Sequence, residues 1–167
     1  MNSRGPLLAA AFAAVLACFP ARAVAEEISL FRVGMGVFEF NNEKAAAAEI
    51  AFQYRGGRNT AHLHPILGVK TTTDSAFFVF AGFGGDINLG QRFVFRPSFA
   101  PGIYRQGKGK DLGAYLNFRT AFEIALRLGR GRRLSLEMDH VSNGGAAPTN
   151  LGEESLVLSF ALPLGKH

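Results

Sequence analysis

Between residues 112 and 128 the even positions read Leu112, Ala114, Leu116, Phe118, Thr120, Phe122, Ile124, Leu126 and Leu128, with Tyr115, Asn117, Arg119, Glu123 and Arg127 between them. A helix would scatter these residues around its circumference, whereas a strand puts every apolar one on a single side. Nine alternate positions without a charge make one long greasy face backed by a charged one.

The same division recurs along the chain. Phe93, Phe95, Pro97, Phe99 and Ile103 alternate with Arg92, Arg96 and Ser98, and Leu134, Leu136 and Met138 with Arg133, Ser135, Glu137 and Asp139. Leu156, Leu158, Phe160 and Leu162 alternate with Ser155, Val157, Ser159 and Ala161, and Phe31, Val33, Met35 and Val37 with Arg32, Gly34 and Gly36. Weaker alternation runs through residues 48–54, 63–69 and 76–85, which brings the expected strands to eight. Turn-prone segments separate them at residues 41–44, 56–60, 71–75, 86–91, 105–111, 129–132 and 142–153.

Residues 1–25 stand apart. Arg4 is followed by a nearly unbroken apolar run from Pro6 to Phe19, and Ala23-Val24-Ala25 offers small residues for cleavage, after Ala23 or Ala25. This is the pattern of a secretory signal peptide, and it places residues 26–167 in a single exported domain of about 142 residues. A lipoprotein signal ending at Cys18 is the other reading, with Leu16 bulky for that pattern. Charge arithmetic changes accordingly. The full chain carries +5, but the mature part holds 16 Lys and Arg against 13 Asp and Glu, or +3, too little for a nucleic-acid footprint. One cysteine in the whole chain excludes a disulfide framework or a Cys-rich zinc site. No cofactor or metal is expected.

Eight strands of about ten residues with short connections fit two architectures. One is a soluble lipocalin-like barrel with an apolar interior; the other is an eight-stranded antiparallel transmembrane β-barrel of the outer-membrane type, with the apolar face outside. Charges at mid-strand, as at Arg119, share their face with small residues such as Gly34, Gly36, Ser135, Ser159 and Ala161. That combination suits a narrow polar lumen filled by ion pairs, formed by Arg32, Arg96, Arg119, Glu49, Glu123, Glu137 and Asp139. An uncharged face as long as 112–128 suits lipid. Two departures stand against the outer-membrane pattern. The chain has no Trp, leaving Phe with Tyr54 and Tyr104 near strand ends to supply the aromatic girdle, and its last residues, Leu164-Gly165-Lys166-His167, lack a terminal aromatic.

With both termini at the periplasmic end, the odd-numbered connections face outward, including the long 142–153 loop. Here the chemistry concentrates. His140 and Ser142 share parity with Leu134, Leu136 and Met138, and Glu154 with Leu156 and Leu158, so all three project from the lipid face. Glu153 and Asp139 project from the other. A serine hydroxyl needs an imidazole to take its proton, and a carboxylate to hold that imidazole in the right tautomer. Polar decoration of an exposed rim would use the same residue types, so spacing alone leaves both readings open.

The residues His140-Val141-Ser142-Asn143, a glycine-rich loop containing Asn150, and a glutamate 12 residues after the serine resemble the signature of the lipid A 3-O-deacylase family of outer-membrane barrels. The resemblance implies Ser142 as nucleophile, His140 as general base and then acid, and Glu154 as the orienting carboxylate. It places oxyanion stabilisation in the following loop, where Asn143, Gly144, Gly145 and Asn150 are candidates. The implied substrate and partner is lipid A of lipopolysaccharide in a Gram-negative outer membrane, hydrolysed at its 3-position acyl ester with the site toward the outer leaflet. No nucleic-acid partner is expected, and the oligomeric state stays open, a homo-oligomer included. Arg105, Lys108 and Lys110 are candidates for the lipid phosphates. The alternative is a non-catalytic outer-membrane barrel with a structural or adhesive role. His62 and His64 read as interior residues, and Gly82, Gly84 and Gly85 as a bulge or tight bend.

Overall fold

The structure is a computed structural model in which residues 28–43, 45–57 and 63–165 are described. The signal segment 1–25, with Cys18, and His62 lie outside the described residues.

Among the described residues the chain forms β1 (Ser29–Phe38), β2 (Ala47–Arg55), β3 (Leu63–Thr72), β4 (Phe77–Gly85), β5 (Ile87–Leu89), β6 (Phe93–Arg105), β7 (Leu116–Arg127), β8 (Arg133–Ser142) and β9 (Glu153–Leu164). Every pairing is antiparallel between sequence neighbours, except that β1 pairs with β9 and β4 with β6. Those pairings close the sheet and remove its edges. The three-residue β5 continues β4 along β6 in the same register, from Gly84 opposite Ser98 to Ile87 opposite Phe95. Eight staves therefore make the barrel, as the alternation predicts. That unbroken register also corrects the reading of Gly82, Gly84 and Gly85, which form no bulge. Gly82 instead lets β6 approach: a Cβ there would lie 2.7 Å from that of Ala100.

The two faces are those the periodicity gives. Met35, Leu67, Phe83, Phe99, Ile103, Ile124, Leu136 and Leu158 are exposed on the outside. The lumen is a chain of alternating charges. From the end carrying the termini, Asp86 meets Arg96 (2.7 Å), Arg96 meets Glu123 (2.8 Å), Glu123 meets Arg32 (3.2 Å), and Arg32 meets Glu137 (2.5 Å). Glu137 and Asp139 share Arg119 (2.5 and 2.9 Å), and Lys70 then joins Asp139 (2.8 Å) to Glu49 (3.0 Å). A soluble carrier's apolar cavity has no place in such an interior. All seven charges expected in the lumen are there, joined by Lys70, Asp86 and Glu153.

An apolar cluster that includes Phe38, Phe78, Tyr104 and Leu112 fills the lumen near the opposite end. Tyr104 thereby departs from the girdle expected of it: it points inward, and its hydroxyl donates to the Lys110 carbonyl at 2.7 Å. Tyr54 stays outside, 3.2 Å from the Ser29 hydroxyl. His64 is interior, as read, beside the Gly56 carbonyl and Asp86.

Candidate active site

β8 and β9 carry His140, Ser142 and Glu154 on the outer face. In the register between these strands His140 lies directly opposite Glu154, a cross-strand pair whose side chains must meet. They do: His140 Nδ1 lies 3.0 Å from Glu154 Oε1. Glu153, one residue away, turns into the lumen, where it is 3.6 Å from Lys70 and accepts from Ser155. The pleat that separates neighbouring glutamates is the one parity predicts.

Ser142 is the last residue of β8, two positions beyond His140 and on the same face. With Nδ1 turned to Glu154, Nε2 is the nitrogen left for the serine side. No hydrogen bond joins the Ser142 hydroxyl to the ring among the described residues; such contacts commonly tighten only when substrate arrives. Opposite Ser142 on β7 stands Phe118, whose ring stacks on Phe99 at 6.0 Å between centroids. The serine therefore borders an aromatic strip on the apolar surface.

The 143–152 loop is organised by Asn143, which is fully buried. Its amide donates to the carbonyls of Leu112 (2.8 Å) and Thr149 (2.6 Å), and its Oδ1 accepts from the Gly145 N–H (2.9 Å). These bonds tie the loop to the 106–115 connection and occupy the Asn143 side-chain amide and the Gly145 N–H. Gly144, in the left-handed region at φ 64°, and Asn150 are exposed and have no hydrogen-bond partner among the described residues. Of the four oxyanion candidates, these two retain donors that none of those bonds uses.

Two neighbours, Asn41 and Gly152, escaped the sequence reading, and a third, Lys110, was read there as a phosphate contact. Asn41, in the turn after β1, donates to Glu154 Oε2 at 2.8 Å. Gly152 lies against the imidazole so closely that a Cβ there would stand 3.0 Å from Nε2 and nearer still to Cε1. Lys110 donates to the Gly152 carbonyl (2.6 Å) and pairs with Glu39 (2.7 Å), so it is committed within the protein instead of waiting for a phosphate. All three come from loops, where no periodicity points to them.

A closed eight-stave barrel with an ionic lumen and a bare apolar exterior defines the class: an outer-membrane β-barrel. Solved structures agree on the fold. The outer membrane enzyme PagL superposes with a TM-score of 0.64 at 16% identity, covering 81% of this chain and 99% of that one. Neisserial surface protein A (NspA) gives 0.60 at 7% identity, covering 82% and 96%. A de novo designed transmembrane β-barrel gives 0.61 at 10%, covering 83% and 96%. No curated protein sequence matches. The family model described as lipid A 3-O-deacylase (PagL) spans residues 31–163, all eight staves and the site. The chain belongs to the lipid A 3-O-deacylase (PagL) family, ester hydrolases of the outer membrane.

Proposed function

We propose that the chain removes the 3-position acyl chain of lipid A by a Ser142–His140–Glu154 mechanism, with the site at the outer-leaflet end of the barrel and residues 1–25 serving as its export signal. The observation that carries this reading is the 3.0 Å contact between His140 Nδ1 and Glu154 Oε1, on the lipid-facing side and two residues from a serine. At the strand ends near the rim such a polar pair costs little on the lipid-facing side, and a catalytic role accounts for its geometry.

In the proposed cycle Ser142 Oγ attacks the ester carbonyl carbon while His140 Nε2 takes its proton. Glu154 holds the ring through Nδ1 and stabilises the imidazolium. The tetrahedral oxyanion is met by the Gly144 N–H and the Asn150 amide, donors that the loop's own bonds leave unused. Collapse expels the sugar 3-hydroxyl, which receives the proton from His140. Water then attacks the acyl-serine with His140 again as base, releasing the hydroxy fatty acid and restoring Ser142. A lipid sliding in the leaflet reaches such a site sideways, its acyl chain lying along Phe118 and Phe99, with Arg105 and Lys108 at the headgroup level.

An alkylphosphonate ester, a stand-in for the tetrahedral intermediate, tests the nucleophile. The expected result is a covalent adduct on Ser142 in the intact chain, slowed about a thousandfold or more in His140→Ala. An adduct elsewhere, or equal rates in the two proteins, contradicts the mechanism.

A further inference from the structure

The turn between β1 and β2 is more than 100 residues from Glu154 in sequence, yet it is built against that residue. The Phe40 N–H donates to the Glu154 carbonyl (3.2 Å), and the Asn41 amide donates to Glu154 Oε2 (2.8 Å). The turn is held in shape by its own bonds, Asn42 N–H to the Glu39 carbonyl and Ala45 N–H to the Asn42 carbonyl, both 2.9 Å. Below it the buried Glu39 carboxylate is fixed by Lys110.

The position of the amide has a chemical consequence. Glu154 offers one carboxylate oxygen to His140 and the other to Asn41. A carboxylate held only by the imidazole is free to turn about its last torsion, and each turn away leaves the ring without its orienting partner. A donor on the second oxygen fixes the carboxylate plane. Being neutral, an amide does this without cancelling the negative charge that the imidazolium needs.

We infer that Asn41 is a positioning residue of this site, holding Glu154 so that Glu154 holds His140. The inference rests on the triad reading above. Asn41 touches neither serine nor substrate, so its contribution acts wholly through Glu154.

The test is a double-mutant cycle on the purified, folded full-length barrel with lipid A as substrate. In the otherwise intact chain Asn41→Ala lowers kcat about tenfold with KM unchanged, as expected for a hydrogen bond to a charged group that is partly open to its surroundings. Asn41→Asp, the same size but with an acceptor facing Glu154, lowers kcat further. In a Glu154→Ala background neither substitution has any further effect on the residual rate. A loss of the same size in both backgrounds, a change confined to KM, or unchanged kcat in Asn41→Ala while Glu154→Ala is impaired overturns this inference alone. Full activity in Glu154→Ala overturns the triad reading itself. Retained barrel migration on unheated gels separates these outcomes from misfolding, and Asn41→Asp preserves the size of the turn residue if Asn41→Ala disturbs it.

Discussion

Gly152 leaves no room for a side chain. The space a Cβ would fill is taken by the His140 ring, 3.0 Å from Nε2, and the Gly152 carbonyl is held by Lys110. Gly152→Ala therefore displaces the ring from between Glu154 and Ser142. Misplacement of about 1 Å is expected to cut kcat about a hundredfold, with barrel stability unchanged; deacylation kinetics alongside heat-dependent gel migration check both halves. His140, Ser142 and Glu154 were legible because parity on two strands decides which side chains share a face, and it chose Glu154 over Glu153. Asn41 and Gly152 were not, and Lys110 was read as a phosphate contact instead of a neighbour of this site. They reach the site through loop geometry, and their partners lie 113, 12 and 42 residues away in sequence, at intervals that belong to no period.

The strands show the reach and the limit of period two. On the five strands with strong alternation the outward positions are as read, Leu112 excepted, and the outer face can be tested directly. Leu158 lies midway along β9, opposite Leu136 of β8 and Met35 of β1, whereas Leu164 ends it, opposite Ser29. Leu158→Lys should cost about 2–4 kcal/mol and Leu164→Lys about 0–1 kcal/mol. Urea unfolding in bilayers followed by circular dichroism measures both, since a chain without Trp lacks the usual fluorescence signal. The long alternation predicted a strand from Leu112, but β7 begins at Leu116. Gly113 adopts φ 80°, with its N–H bonded to Asp111, and this turns the chain so that Leu112 drops into the lumen cluster. A left-handed glycine interrupts a strand without disturbing the apolar pattern around it.

At the scale of the whole molecule the charges replace an apolar core. Arg119 sits at the centre of the chain, between Glu137 and Asp139, with its guanidinium 4.8 Å from the centre of the Phe80 ring. Arg119→Met removes the cation and leaves two buried carboxylates short of a partner. The expected loss is about 3–5 kcal/mol, read from the same unfolding experiment, with the triad chemistry largely retained in the folded fraction. Seven of the inward charges were legible from parity, without Lys70 and Asp86. Their pairing was not, because Lys70 lies on a weakly alternating strand and Asp86 reads as a turn residue. Closure supplies both: β4 meeting β6 puts Asp86 level with Arg96, and the lumen is narrow enough for Lys70 to reach Asp139 across it.

The central claim is that this exterior triad deacylates lipid A. Mass spectrometry of lipid A from Gram-negative cells expressing the intact chain or Ser142→Ala, at equal levels of folded barrel, tests it most directly. The account predicts loss of one 3-hydroxyacyl group from the 3 position with the intact chain and unaltered lipid A with Ser142→Ala. The same deacylated lipid from both, or from neither, would contradict it.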